Sequence, residues 1–202
     1  MFVSVEEAVR EVREGRLLIL TDNEERENEG DLVCAGVHAT PQNVNFMVTY
    51  GRGLFCVPVS ADVAKRLGLT RPEGHHDPRG TAFTQSVDAI AGNTTGISAY
   101  DRANTVAKIL RADSTLDDFY SPGHVFPLLE APGGVMARDG HTEGTLALAR
   151  LAGLPPVGVL CEILKDDGTM ARVPDLLIYA KRHGLKMCSI AALREHLAKN
   201  RN

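Results

Sequence analysis

Residues 17–36 read L-L-I-L-T-D-N-E-E-R-E-N-E-G-D-L-V-C-A-G, in which two apolar runs flank an acidic segment. The runs at 17–20 and 32–36 predict two strands, so that segment 21–31 forms the loop between them. This loop carries one arginine, Arg26, and six carboxylates: Asp22, Glu24, Glu25, Glu27, Glu29 and Asp31. A simple hairpin turn needs about two to five residues with Gly, Asn or Asp at defined places, and not this many like charges.

The density of acids in this loop predicts a cation among them. Carboxylates packed this closely repel one another unless a metal ion or a cationic group of a substrate lies between them. Mg²⁺ suits such a place, because it takes one or two carboxylates and completes its shell with water and substrate oxygens. The alternative is a solvated surface loop without a ligand, since acidic loops are common.

Length and composition indicate a globular protein that does not bind nucleic acid. The 202 residues are 44% hydrophobic, which suits one large domain or two small ones with an ample core. The net charge of −4, the pI of about 6.0 and the absence of tryptophan argue against a nucleic-acid-binding protein. No apolar run approaches the ~18 residues of a membrane span, and the N-terminus lacks a signal-peptide pattern. We therefore expect no membrane association and a cytoplasmic location.

Neither the cysteines nor the paired histidines predict a metal site. The cysteines lie far apart in apolar contexts without a C-x-x-C spacing, which predicts reduced core residues: Cys34, Cys56, Cys161 and Cys188. His75 and His76 belong to the non-periodic stretch 69–80, which predicts an ordered loop or a lid. Adjacent residues cannot share one face of a strand or helix, so these two histidines are not expected to bind one metal ion together.

The order of predicted elements indicates one α+β domain. Helix N-caps are predicted at Ser4, Thr40, Ser60, Ser98, Thr142 and Ser189. Strands are predicted at 16–21, 32–36, 54–59, 82–90, 157–164 and 185–188. Because helices and strands alternate irregularly and some strands are adjacent, we expect a mixed sheet covered by helices on both faces. The predicted fold is a single three-layer α-β-α domain spanning residues 1–202.

The pentapeptide R-D-G-H-T at 138–142 precedes a predicted helix and is a candidate anion site. Free N–H groups and the positive end of the helix dipole favour a negative ligand there. Gly140 lets the backbone approach a ligand, Arg138 can donate two hydrogen bonds to a phosphate, and Thr142 offers a hydroxyl. The alternative is an ordinary capped helix with an exposed arginine.

Glu162 and His124 are candidates for proton transfer. Glu162 lies in the most apolar predicted strand, where an ionised carboxylate is costly unless it is paired, metal-bound or protonated. His124 lies between two prolines in S-P-G-H-V-F-P-L, and its ordinary pKa of about 6.5 suits proton transfer near neutral pH. The alternatives are a salt bridge at the strand end for Glu162 and a packing role in a turn for His124.

Six segments together resemble the 3,4-dihydroxy-2-butanone 4-phosphate synthase family of riboflavin biosynthesis. They occur in order over almost the whole chain: T-D-N-E-E-R-E-N-E-G-D, D-P-R-G-T-A-F-T, N-T-T-G-I-S-A-Y-D-R-A, P-G-H-V-F-P-L, G-H-T-E-G-T and C-E-I-L-K-D-D-G-T-M-A-R. Asn23, Glu25 and Gly144 depart from the residues most frequent in the family, while the R-E-N-E-G-D core is intact. From the length of 202 residues we expect no GTP cyclohydrolase II domain of the kind that some relatives append.

The resemblance implies a lyase that converts D-ribulose 5-phosphate to L-3,4-dihydroxy-2-butanone 4-phosphate and formate by enolisation, dehydration and skeletal rearrangement. It implies Mg²⁺, with Mn²⁺ as a substitute and two ions per site, held by Glu27 and His141. His124 and Glu162 would carry out the proton transfers. The residues implied to hold the sugar phosphate are Arg26, Glu27, Asp31, Arg138, Asp139, Gly140, His141, Thr142 and Glu162. The family is dimeric with sites near the subunit boundary, so that Thr95 would reach the partner's phosphate.

Two other functions fit parts of the same pattern. A different Mg²⁺-dependent sugar-phosphate isomerase or aldolase would use the same anion site and acidic cluster. A nucleotide- or RNA-binding module of similar build is the alternative that is not an enzyme, and the acidic pI counts against it.

Overall fold

A mixed seven-stranded sheet forms the middle layer of the protein. The computed structural model describes residues 1–74 and 78–200. Within them the strand order is β4-β5-β3-β6-β2-β1-β7. The strands are β1 (Leu18–Thr21), β2 (Gly30–Ala35), β3 (Cys56–Val59), β4 (Val87–Ala89), β5 (Phe119–Leu129), β6 (Gly158–Glu162) and β7 (Lys186–Ser189). The pairs β1–β7 and β3–β5 are parallel, and the other neighbours are antiparallel.

Helices cover both faces of this sheet. They are α1 (Val5–Arg13), α2 (Pro41–Phe46), α3 (Ala61–Arg66), α4 (Ala99–Leu110), α5 (His141–Leu151), α6 (Val173–His183) and α7 (Ile190–Lys199). Helices α2, α3, α4 and α6 enclose one hydrophobic core, and α1, α5 and α7 enclose the other. Successive strand residues point to opposite faces, so Ile19 belongs to the first core and Leu18 and Leu20 to the second. The predicted three-layer α+β fold with a mixed sheet is confirmed.

Five of the six predicted N-caps accept a hydrogen bond from the backbone three residues later: Ser4, Thr40, Ser60, Ser98 and Ser189. The prediction for Thr142 is wrong, because α5 begins at His141 and its N-cap is Gly140. A Cβ atom at Gly140 would lie 2.2 Å from Nη1 of Arg138. The helix therefore begins two residues earlier than the threonine pattern suggests, and glycine at the cap leaves room for the close approach of Arg138.

Two predictions about strands also need correction. The predicted strand 82–90 is limited to β4, preceded by one isolated bridge between Phe83 and Leu128. The segment around His124, predicted only as extended, is part of the 11-residue strand β5. Its pairing with β3, which is far away in sequence, stabilises this strand despite its two prolines. His75 and His76 lie outside the described residues.

The four cysteines are buried and free, as predicted. Among the helices in the described ranges, none has the length and apolar character needed to cross a membrane.

Candidate functional site

The acidic loop has a defined shape organised around Asp22. Oδ2 of Asp22 accepts hydrogen bonds from N of Glu27 at 2.9 Å and from Nη1 of Arg26 at 3.0 Å, and Oδ1 accepts from N of Glu29 at 2.8 Å. Arg172 fixes the other side of the loop, since its Nη1 donates to the carbonyl oxygens of Glu27 and Asn28. These contacts exclude the alternative of a loop held only by solvent.

Strand β2 and helix α5 bring two parts of the chain together at this loop. Asp31 is the second residue of β2 and lies beside its register partner Glu162 at the end of β6, and α5 packs over both strands. His141, the first residue of α5, faces the acids from above. Its Nδ1 lies 3.5 Å from Oε2 of Glu27, and its Nε2 lies 3.9 Å from Oδ1 of Asp31. Glu27 and His141, which were predicted as metal ligands, are therefore adjacent.

Two buried polar atoms in this cluster have no hydrogen-bond partner within the described part of the chain. They are Oδ1 of Asp31 and Nε2 of His141, whose residues are 2% and 6% exposed. Leaving such groups unpaired costs about 1–3 kcal/mol each, and more for charged groups. The residues therefore fit a bound cation with its waters, which would compensate the carboxylates.

Asp22, Glu27 and His141 each offer a ligand atom, and these atoms lie within 4.8 Å of one another. Glu27 and His141 among these three are the two residues that the sequence analysis predicted as metal ligands. Both oxygens of Asp22 already accept hydrogen bonds from the loop, so Asp22 also shapes the loop. Nη1 of Arg26 donates to Oε2 of Glu27 at 2.6 Å. Its guanidinium therefore balances the negative charge of the carboxylate that a metal ion would also balance.

Burial and mutual charge shift the pKa values of the cluster. Burial raises the pKa of Asp31 to about 7, even though His141 opposes the shift. Burial lowers the pKa of His141, but Asp31 and Glu27 more than offset this effect and raise it to about 9. For Glu27, burial raises the pKa, while His141 and Arg26 outweigh it and lower the value to about 2. The protonated imidazole thus acts as a counter-charge that a metal ion would replace.

The turn before α5 supplies a cation at the edge of the same cavity. Nη1 of Arg138 donates to Oε2 of Glu143 at 2.6 Å, and its Nη2 donates to Oγ1 of Thr81 at 3.1 Å. Glu143 is almost fully buried and also accepts from N of Ala131, which fixes its position. Thr142 lines the cavity, whereas the half-exposed Asp139 lies 3.6 Å from Arg194 and is not among the described residues that line it. Arg138 is therefore held in one orientation.

Glu162 differs from its predicted environment. It is the last residue of β6 and half-buried, and its Oε2 accepts a hydrogen bond from N of Leu54 at 2.7 Å. The deeply buried acid is its neighbour Asp31. Because the strand ends at Glu162, its carboxylate reaches the cavity wall while remaining partly solvated.

These side chains surround a cavity of about 80 Å³. Its lining includes Arg26, Glu27, Glu29, Asp31, Thr81, Phe83, Arg138, His141, Thr142 and Glu162. A water molecule occupies about 30 Å³ of liquid, so the cavity suits an ion with a few waters. A sugar phosphate would have to extend out of it over the open edge.

His124 lies outside the described lining of this cavity. In the parallel pair β3–β5, Cys56 lies opposite Phe126. Two residues earlier in each segment, Leu54 therefore lies level with His124. The backbone N of Leu54 donates to Glu162 on the other side. Strands are about 4.8 Å apart, which puts the backbones of Glu162 and His124 roughly 10 Å from each other. The structure thus brings Glu27, Asp31, His141, Arg138 and Glu162 together and leaves His124 on the neighbouring part of the sheet.

Sequence reasoning missed several residues that hold this site in place: Asp22, Thr81, Glu143 and Arg172. An Asp followed by a run of polar residues is a signal for a loop closed by side-chain hydrogen bonds, which could have identified Asp22. The others act through contacts between distant segments, for which the sequence carries no local pattern.

The chain is similar in sequence to proteins of one known family. The model of the 3,4-dihydroxy-2-butanone 4-phosphate synthase family matches residues 6–196. The riboflavin biosynthesis protein RibBA of Aquifex aeolicus is 53% identical over 195 residues, covering 95% of this chain and 48% of the relative. The chain spans about half the length of these curated relatives.

Solved structures are similar over nearly the whole chain. RibBX from A. baumannii, a two-domain 3,4-dihydroxy-2-butanone 4-phosphate synthase, has a TM-score of 0.90 and 48% identity, covering 95% of this chain and 56% of that one. A 3,4-dihydroxy-2-butanone 4-phosphate synthase in complex with two magnesium ions has a TM-score of 0.93 and 38% identity, covering 98% of both chains. The protein therefore belongs to the 3,4-dihydroxy-2-butanone 4-phosphate synthase family.

Proposed function

We propose that this protein converts D-ribulose 5-phosphate to L-3,4-dihydroxy-2-butanone 4-phosphate and formate in riboflavin biosynthesis. One observation carries the proposal. Oδ1 of Asp31 and Nε2 of His141 face each other beside Glu27, and both are buried without a hydrogen-bond partner among the described residues. They line a cavity with Arg138 at its edge. This arrangement needs a cation, and the arginine beside it suits a phosphate. We place the activity within residues 1–202 and in the cytoplasm.

Glu27 and His141 would hold Mg²⁺ or Mn²⁺, with two ions per site as in the magnesium-bound relative. When bound, the metal supplies Lewis-acid stabilisation of negative charge on the ketone and hydroxyl oxygens of the sugar. Few protein ligands are needed because substrate and water complete the shells.

The remaining chemistry belongs to side chains of the chain itself. The reaction requires four steps. A proton next to the ketone is removed, a hydroxyl departs as water, a carbon shifts, and water is added as the one-carbon acid leaves. The five carbons divide into four and one without any redox partner. Glu162, half-buried at the cavity wall, suits the first proton transfer, and Arg26 and Asp31 would orient the hydroxyl groups.

The phosphate would lie at the turn of residues 138–142. Arg138 offers a fixed guanidinium there, Thr142 offers its hydroxyl, and the start of α5 contributes the positive end of its dipole. Asp139 and Gly140 form the turn that brings this backbone close to the ligand. Such anchoring of the far end contributes orientation at the reacting carbons.

We further propose a homodimer in which His124 and Thr95 serve the partner's cavity. Gly96 contacts the ring of His124, so Thr95 and His124 belong to one surface unit that is separate from the cavity of the same chain. Two inactive variants, His124→Ala and Glu27→Gln, test this arrangement when they are dissociated and reassembled together. Shared sites should restore roughly a quarter of wild-type activity, because about half of the reassembled dimers are mixed and each mixed dimer contains one intact site of two. No restoration would contradict the exchange.

The activity itself is tested with D-ribulose 5-phosphate and Mg²⁺, measuring formate and the four-carbon phosphate. One formate per pentulose phosphate consumed, abolished by a chelator and restored by Mg²⁺, is the expected result. A new pentose phosphate or a triose phosphate without formate would instead indicate the isomerase or aldolase alternative. Glu25→Gln is the matched control, since Glu25 is an exposed acid of the same loop and should retain full activity.

A further inference from the structure

Asp88 and His124 form a pair that the proposed function does not explain by itself. Asp88 lies on β4 and is buried, at 7% exposure, whereas the side chain of His124 is 46% exposed on β5. Both carboxylate oxygens of Asp88 are used on this one residue. Oδ1 accepts from the backbone N of His124 at 2.9 Å, and Oδ2 lies 2.6 Å from its ring Nδ1.

The contact determines which ring nitrogen carries the proton. An ionised carboxylate only accepts hydrogen bonds, so Nδ1 must be the donor in a contact of 2.6 Å. In the neutral ring this leaves the lone pair on Nε2, which is free to accept a proton from a ligand. The second contact, from the backbone of His124, fixes the carboxylate and therefore the plane in which the ring is held.

Gly96 closes the pair from above. A Cβ atom at Gly96 would lie 2.1 Å from Oδ2 of Asp88 and 2.6 Å from Nδ1 of His124, and its φ of +94° favours glycine. Asp101 holds this loop in place, because its carboxylate accepts from N and Oγ1 of Thr94 and from N of Gly96. The loop thus lies directly against Nδ1 and Oδ2.

A purely structural role accounts poorly for this arrangement. The strand contact between β4 and β5 needs only the backbone bond from His124, and an exposed ring contributes little to the core. Yet the buried carboxylate of Asp88 contacts Nδ1 of His124, and Gly96, with its positive φ, packs against the same nitrogen. Positioning of an imidazole for proton transfer explains this commitment.

We propose that Asp88 is the positioning residue for His124, holding Nδ1 as a donor so that Nε2 is presented to the substrate. The inference rests on the proposed function, because His124 is taken there as a proton-transfer group. Asp88 touches no reacting atom and acts only through the tautomer and orientation of the ring. Gly96 completes the arrangement by covering the shared proton.

The first test is a direct measurement of the tautomer that requires no turnover. In ¹⁵N-histidine-labelled wild-type protein, with the His124 signals assigned from His124→Gln, the neutral ring should be protonated at Nδ1. In Asp88→Asn the Nδ1–H population should fall. A wild-type ring protonated at Nε2, or a tautomer unchanged in Asp88→Asn, would overturn the inference even if the enzyme assay behaved as proposed.

The second test separates positioning from binding. Asp88→Asn should lower kcat at least about 10-fold and leave KM within about 2-fold; the same exchange in Ser–His–Asp enzymes costs roughly 10⁴-fold. Gly96→Ala, which displaces the pair without removing a charge, should lower kcat in the same way. Asp113→Asn, at an exposed ion pair with Arg111, is the control and should have no effect. Unchanged kcat in Asp88→Asn, with His124→Ala inactive, would overturn the positioning role and leave the proposed function intact. Full activity of His124→Ala would instead contradict the role of His124 on which the inference rests.

Discussion

Nε2 of His141 lies 3.9 Å from Oδ1 of Asp31, and both atoms are buried without a hydrogen-bond partner among the residues described. The separation is too long for a direct hydrogen bond. Charge is nevertheless balanced, because the acids hold a proton on the imidazole and raise its pKa to about 9 despite burial. The pair is therefore suited to exchange that proton for another cation, and several predictions depend on this property.

Loss of either ligand should abolish metal-dependent turnover. We expect Glu27→Gln and His141→Ala to lower formate release by more than about 100-fold, since loss of a group that only hydrogen-bonds to a metal ligand already costs about 10–100-fold in other metal sites. Calorimetry should show weaker Mn²⁺ binding in both variants and unchanged binding in Glu25→Gln. Formate release at the wild-type rate in either variant would contradict the ligand assignment.

The metal-free protein should lose stability as the pH rises from about 6.5 to about 9. A group whose pKa is raised in the folded state makes its full contribution to the free energy of unfolding at a pH below its unfolded pKa. This contribution is lost as the pH rises through the folded pKa. For His141 these limits are 6.5 and about 9. Urea unfolding in chelator should show a loss of up to about 3 kcal/mol over this interval. The slope should be much smaller in His141→Gln, and an equal slope in both proteins would exclude His141 as its source.

Metal affinity should change with pH in the opposite direction. Binding requires the neutral imidazole, so Mn²⁺ affinity should rise by up to about tenfold per pH unit below the pKa of His141. Calorimetric titrations at pH 6.5, 7.5 and 8.5, in buffers of different ionisation enthalpy, would measure the released proton directly. Binding without proton release would show that His141 is not a ligand.

The layers of the fold were predictable because they depend on local patterns. Alternation along strands such as Leu18–Thr21 assigns each side chain to one of the two cores, and hydroxyl caps such as Ser4 locate helix starts. The start of α5 was missed because its N-cap is Gly140, which has no side chain to form a cap hydrogen bond, whereas the hydroxyl of Thr142 lies inside the first turn. Preference for a hydroxyl cap alone therefore selects the wrong residue.

The chemistry of the site was predictable in residue type but not in arrangement. The acidic loop and R-D-G-H-T indicated a cation and an anion site, and the structure brings Glu27 and His141 together. The environment of Glu162 was predicted wrongly, because the apolar run 157–164 does not show where pairing with β2 ends. The pairing of His124 with Asp88 spans 36 residues, and a register shift between Val87 and Asp88 conceals it from pattern reasoning.

Glu162→Gln should fold normally and be inactive. The amide oxygen of Gln can still accept from N of Leu54, so the free energy of unfolding should change by less than about 1 kcal/mol. The amide cannot take up a proton, and kcat should fall by about 10²–10⁴-fold. Asp166→Asn, an exposed acid four residues later, is the control and should be unaffected. An active Glu162→Gln variant would reduce this carboxylate to a structural role.

Gly140→Ala should weaken substrate binding through Arg138. The new Cβ would lie 2.2 Å from Nη1 of Arg138 and 2.8 Å from Oε2 of Glu143, while the φ of −95° at Gly140 is allowed for alanine. The flexible end of Arg138 should therefore move rather than the backbone. A charge-assisted hydrogen bond contributes about 1.5–3 kcal/mol, so KM for D-ribulose 5-phosphate should rise by about 10–100-fold.

Comparison with Arg138→Lys separates position from charge in this experiment. Lysine keeps the positive charge but lacks the planar fork, so both variants should show a raised KM with a smaller change in kcat. Thermal unfolding would confirm that Gly140→Ala remains folded. If KM rises in Arg138→Lys but not in Gly140→Ala, the guanidinium reaches the phosphate without support from the glycine cap. If KM rises in neither, the phosphate is held elsewhere, because a displaced guanidinium cannot leave the affinity of the anion it binds unchanged.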